Sequence, residues 1–229
     1  MEKCILWDFD GTLAVRGGMW SGAILETVAR FEPSVACELA TIRPHMQTGF
    51  PWHTPERAHE HLATAEVWWE GLFPAFQRAF QAVGLSSARA IALSREVRSI
   101  YLDPKGWTVF PDVVPTLVSL RTAGWSHAIL SNHVPELASL TEALGLRQHF
   151  DAVFSSAAIG YEKPHETAFR RTLDELGNPP IVWMIGDSYN ADIVGARRVG
   201  LPAILVRSKH DDVQYQSASL LQIPDVLAA

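Results

Sequence analysis

Hydrophobic and polar positions follow two different patterns along the chain. Residues 3–9 form a short, near-continuous apolar run, the mark of a parallel strand covered on both faces. From about residue 112, apolar strands alternate with amphipathic stretches. Asp112–Gly124 reads as a helix with Gly124 at its C-terminus, and Trp125–Leu130 as a strand. Pro135–Gly145 reads as a helix and Ala152–Ser155 as a strand. Pro164–Gly177 reads as a helix with Pro164 suited to its first turn, followed by a strand at Ile181–Ile185. Ala191–Val199 reads as a helix closed by Gly200, and Ala203–Val206 as a strand. This alternation predicts an α/β fold, a doubly wound, Rossmann-like parallel sheet.

Residues 14–107 lack that alternation, and no strand is expected there. Leu62, Ala65, Trp69, Leu72, Phe73, Phe76, Phe80 and Val83 recur at helical spacing, with Pro74 expected to kink or divide the helix. Ile24–Phe31 and Ile91–Tyr101 also read as helical. The expected organisation is a core of residues 1–13 and 108–229, with an all-α cap of residues 14–107 inserted after the first strand. Residues 14–18 and 103–107, with Gly17, Gly18, Pro104 and Gly106, are the expected hinges.

Composition narrows the field. The 229 residues are 48% hydrophobic and carry a formal net charge of -6, which argues against nucleic acid or an anionic membrane as partner. The two cysteines, Cys4 and Cys37, make no disulfide framework or zinc spacing. No apolar run is long enough to span a bilayer. Charge precedes any apolar run of adequate length at the N-terminus, so no signal peptide is expected and a cytoplasmic location is.

In open parallel sheets, ligands sit beyond the carboxyl ends of the strands. Here those ends carry Asp8-Phe9-Asp10-Gly11-Thr12, Ser131-Asn132, Lys163 after a loop, and Asp187 with Asp192 five residues on. Several carboxylates on one rim repel, and a hard cation such as Mg²⁺ relieves that repulsion while leaving positions open for phosphate. Lys163, a serine hydroxyl and loop amides complete a phosphate cradle. Asp8 could then attack phosphorus while Asp10 shuttles protons.

These motifs, DFDGT, LSN at 130–132, YEKP around Lys163 and GDSYNAD at 186–192, resemble the haloacid dehalogenase superfamily of phosphohydrolases, in the family's order. The helical insert resembles the α-helical cap of one of its subgroups. The resemblance implies a Mg²⁺-dependent phosphatase acting on a small phosphorylated metabolite through an aspartyl-phosphate. In it Asp8 is nucleophile and metal ligand, and Asp10 is acid/base with its backbone carbonyl on the metal. Asp187 and Asp192 serve the metal, while Gly11, Thr12, Ser131, Asn132 and Lys163 hold phosphate. It also makes the cap loop at 41–57 a source of substrate contacts, with Arg43, His45, Trp52, His53 and Arg57 as candidates. His133 fits the site's lining and a helix start equally well. Asp10 argues against a 2-haloacid dehalogenase. The lack of any lysine between Lys3 and Lys105 argues against a Schiff-base mechanism. A phosphosugar mutase and a non-catalytic phospholigand-binding protein remain as alternatives, and the chain is expected to be a monomer or homodimer.

Overall fold

The computed structural model describes residues 2–62 and 64–228. Its centre is a six-stranded, all-parallel sheet in the order β5-β4-β1-β6-β7-β8. The strands are β1 (Lys3–Trp7), β4 (Ser126–Ser131), β5 (Ala152–Ser155), β6 (Ile181–Gly186), β7 (Ala203–Val206) and β8 (Gln216–Ser217). β1 is buried from Cys4 onward and β7 throughout, because helices cover both faces. Cys4, Leu6, Leu130 and Met184 pack on one face, and Ile5, Trp7, Ile129 and Ile185 on the other. Strand order reverses beside β1, so the crevice of the switch point opens at Asp8.

The helices of this layer, Val113–Thr122, Leu137–Ala143 and Glu166–Glu175, are each shorter than the sequence pattern predicts. Pro164 lies outside its helix, because the His165 side chain caps the turn by accepting from the Thr167 amide at 3.1 Å. The stretch after β6 opens with a π-helical turn, Tyr189–Val194, before an α-helix at Gly195–Arg198.

Between β1 and the rest of the sheet the chain is mainly helical, with helices at Met19–Phe31, Leu39–Ile42, Ala65–Ala82, Ser87–Ser94 and Val97–Leu102. Of the kink or break expected at Pro74, the break does not occur, and the helix runs unbroken through it. Pro74 faces solvent while Leu72, Ala75 and Phe76 are buried around it, so water can serve the carbonyl it leaves free and packing keeps the helix whole. The single helix expected at Ile91–Tyr101 is two, parted at Arg95–Glu96.

Strands also occur where none is expected. β2 (Ala14–Arg16) and β3 (Trp107–Val109) pair antiparallel, joining Ala14 to Val109 and Arg16 to Trp107. At three residues each they are too short to show a period. They bind the entry and exit of the helical segment to each other. Buried Arg16 reinforces the junction, its guanidinium reaching Glu26 at 2.5 Å and the Ile100 carbonyl at 3.2 Å.

Trp20 organises the helical segment. Its ring stacks on Tyr101 at 3.9 Å and 9°, and Phe50, Trp69 and Phe76 surround it. The segment docks on the sheet layer through Glu136, which accepts from the Trp69 indole at 3.1 Å and pairs with Arg98 at 2.5 Å. His59 donates its amide to the Gly160 carbonyl at 2.7 Å, and Arg171 pairs with Glu60 at 2.5 Å.

Candidate active site

Asp8 directly follows β1, and its amide donates to the Ile185 carbonyl at 2.9 Å, extending the ladder by one residue. One carboxylate oxygen, Oδ1, accepts from the Ser131 hydroxyl and the Lys163 ammonium, each at 2.8 Å. Lys163 also donates to Asp192 Oδ1 at 2.5 Å, and Asp192 Oδ2 accepts from the Ser188 amide at 2.9 Å. Asp187 accepts from the Thr12 hydroxyl at 3.3 Å. The four motifs therefore converge on a single rim, and Ser131 at the end of β4 bonds directly to Asp8 just after β1.

Three residues expected at phosphate, Asn132, Gly11 and Thr12, bond within the protein instead. Asn132 donates to the Lys163 carbonyl at 2.8 Å and accepts from the Lys163 amide at 2.7 Å, so it fixes the lysine's backbone. The Gly11 and Thr12 amides donate inside the turn, to Ala14 and Phe9 carbonyls. Gly11 has φ 78°, and a Cβ there would lie 2.3 Å from Asp187 Oδ2. Only glycine allows both the left-handed backbone and that carboxylate's approach.

The electrostatics are those of charge crowded into a buried space. Burial, then Asp8 and Asp192, push Asp187 up to about 7. Burial, with Asp8 also raising it, moves Asp192 to about 6 against the pull of Lys163. Asp10 lies well above the ordinary carboxylate range because of burial and the neighbouring Asp8 and Asp187. Burial would lower Lys163, but Asp192 and Asp8 outweigh it and hold the ammonium above its ordinary value. One carboxylate oxygen from each of Asp8, Asp187 and Asp192 lies within 4.8 Å of the others. This all-oxygen trio, destabilised by its own repulsion, fits a hard divalent cation. The carboxylate of Asp10 stands outside it.

His133 is buried against Phe9, Tyr101 and Trp107. Burial lowers it to about 4, so it is neutral. Its Nε2 lies 3.8 Å from Asp10 Oδ1, and neither atom has a hydrogen-bond partner. A shift of about 1 Å would join them.

Beside this rim is a cavity of about 440 Å³, lined by Asp10, Asn132, Lys163, Pro164, Ser188, Asn190 and Ala191 from the sheet side. Met19, Trp20, Trp52 and Pro55 line it from the helical side. Of the five cap candidates only Trp52 is in that lining. Arg43, His53 and Arg57 are exposed, and His45 is half-buried outside it. The His53 ring turns inward to accept from the Phe50 amide at 3.3 Å. Met19 and Trp20 escaped the sequence pattern because the helix begins at Met19, a turn and a half before the expected Ile24. The Gly17-Gly18 pair just before it is the signal that could have found that start. A larger depression, about 810 Å³ between Arg207 and Ala218, contains none of the clustered carboxylates, so size alone does not locate the site.

A family model for haloacid dehalogenase-like hydrolases matches residues 2–200. The chain belongs to the haloacid dehalogenase-like hydrolase family. It is 35% identical over 148 residues to haloacid dehalogenase-like hydrolase domain-containing protein 3 of Bos taurus, covering 64% of this chain and 58% of that one. The chain thus spans less than two thirds of that relative's length. Phosphoserine phosphatase of Thermus thermophilus is 28% identical over 224 residues, 89% of this chain and 88% of the relative. Among solved structures, the HAD-hydrolase YfnB of Bacillus subtilis superposes with a TM-score of 0.75 at 17% identity, covering 100% of this chain and 99% of that one. At that identity the likeness establishes the fold.

Proposed function

We propose that this hydrolase is a Mg²⁺-dependent phosphatase that cleaves a small phosphomonoester through an aspartyl-phosphate on Asp8. The observation that carries the reading is the bonding of Asp8. Ser131 and Lys163 both hold Oδ1, which orients the carboxylate and leaves Oδ2 for in-line attack. The phosphatase named among its relatives supports the reaction class.

Asp8 Oδ2 forms a bond to phosphorus as the ester oxygen departs. Asp10, with its raised proton affinity, gives that oxygen its proton. Asp10 then takes a proton from water as the water oxygen attacks the aspartyl-phosphate. The Asp8–phosphorus bond breaks, and inorganic phosphate leaves. Lys163 offsets charge on the transferring group, and Asn132 keeps Lys163 in place. Asp8, Asp187 and Asp192 would hold Mg²⁺, with the Asp10 backbone carbonyl. Bound there, the ion supplies positive charge against the phosphoryl oxygens. YfnB, the structural neighbour, was solved bound to magnesium.

The test is phosphate release from a panel of monoesters, with Mg²⁺ and with chelator, for the natural protein and Asp8→Asn. Asp8→Asn is expected to lower turnover by on the order of 10³-fold or more, and chelation to abolish it. A turnover unchanged by Asp8→Asn would overturn the mechanism.

A further inference from the structure

The cavity's helical wall is apolar and carries no charge. Lys163 is its single cationic lining residue among the described residues, and Lys163 is already bound to Asp8 and Asp192. Asp10, the other ionisable group in the lining, is acidic. A leaving group bearing a carboxylate or second phosphate would therefore meet no free cationic side chain there. The arginines of the cap loop do not compensate. Arg57 is 74% exposed and points toward Glu56, and Arg43 is exposed as well.

The wall offers aromatic surface instead, chiefly that of half-buried Trp52, with Trp20, 8% exposed, showing only an edge. Met19, Trp20, Trp52 and Pro55 face the rim. The Trp20 and Trp52 rings lie 6.0 Å apart at 34°, and Trp20 is held by its stack on Tyr101. Trp52 is packed on Phe50 at 4.7 Å and 22°. Both rings are thus fixed before any ligand arrives, which lowers the entropy cost of using them. The backbone is strained where it delivers this wall. Gly18 has φ 69° and Met19 has φ 47°, two successive left-handed residues, the second bearing a long side chain. Such strain gathers where surrounding structure enforces a functional geometry. Ser188 and Asn190 add uncharged polar groups at the rim.

We infer that the substrate is a phosphomonoester whose leaving group is uncharged and carries a flat unsaturated ring, an aryl or nucleoside moiety, packed against Trp20 and Trp52. This rests on the phosphatase reading for the position of the phosphate, and it is tested separately from catalysis. Asp8→Asn, which removes the nucleophile, is titrated calorimetrically in Mg²⁺ buffer with benzyl phosphate, uridine 5′-monophosphate and phosphoglycolate. All three are primary alkyl esters, so leaving-group chemistry is matched.

The ring-bearing esters are expected to bind at least tenfold more tightly than phosphoglycolate. Adding Trp52→Arg, which replaces ring with cation, is expected to remove that preference and tighten phosphoglycolate. Circular dichroism checks that the double variant is folded, and Trp52→Leu replaces it if it is not, with the ring preference again expected to shrink. Equal affinities, tighter binding of phosphoglycolate, or no binding of any ester would overturn the inference. Selective binding of the ring-bearing esters without phosphate release by the natural protein would instead overturn the phosphatase reading and leave this one standing.

Discussion

The two walls of the cavity are built from opposite materials. The sheet rim packs three aspartates, a fourth acidic neighbour and one lysine into a space that is largely buried, where each group's charge depends on the others. The helical wall opposite is tryptophan, methionine and proline, and keeps its arginines in water. Charge in the rim is costly, because buried ions must be paired. The aromatic wall contributes stability through packing and needs no partner. The rim's identity therefore resides in a few fixed residues, while the wall's resides in shape.

The largest expected effect is on the rim. Lys163→Met leaves Asp8 and Asp192 without their shared counter-ion, and about 3–5 kcal/mol of stability should be lost. Urea unfolding in Mg²⁺-free buffer at pH 8 measures it. The loss should shrink at pH 5, where Asp192, at about 6 even with the lysine present, takes up a proton. A loss under 1 kcal/mol at pH 8 would mean the rim tolerates unpaired buried charge and is no more costly to build than the aromatic wall.

A middle-sized effect comes from Glu162, buried one residue before Lys163. Burial pushes it from an ordinary 4.5 up to about 7, against the pull of Ser156 and Lys163. Between pH 4.5 and 7 the folded protein holds a proton that the unfolded chain has released. Stability therefore falls as pH rises through that window, and the penalty stays constant above it. Glu162→Gln should flatten this slope and raise Tm at pH 8 relative to the natural protein, by an amount worth at most about 3 kcal/mol. Thermal melts of both proteins from pH 5 to 8 give the difference, in which the slopes of the other carboxylates cancel. Identical slopes would mean Glu162 stays charged in the fold.

The smallest effect belongs to the cap loop. Arg43→Ala and Arg57→Ala should each change kcat/KM by less than twofold, since neither lines the cavity. A tenfold loss for either would show a cation reaching substrate and would make the two walls alike in kind.

The rim was legible in the sequence because its residues sit at strand ends, and strand ends follow from apolar runs such as CILW and AILV. Asp8, Asp10, Ser131 and Asp187 could be picked out that way, and Lys163 and Asp192 by the motifs YEKP and GDSYNAD that follow in order. What Asn132, Gly11 and Thr12 bond to could not, because each of those bonds depends on which loop lies alongside. The aromatic wall was less legible for a related reason. Trp20, Trp52, Trp68 and Trp69 all suit a core, and nothing in their spacing separates Trp20 and Trp52, which border the cavity, from Trp68 and Trp69, which do not. The short β2 and β3 strands, and β8, carry too few residues for a period to register.

The pairing of β2 with β3 has a consequence for how such a protein can change over time. The chain leaves the sheet layer and returns to it through one two-stranded gate, with Arg16 opposite Trp107. Everything beyond the gate can be lengthened, shortened or exchanged without altering the spacing between its two ends. A lineage could retool what it recognises by swapping material behind that gate, while Asp8, a few residues upstream, keeps its backbone bond to β6.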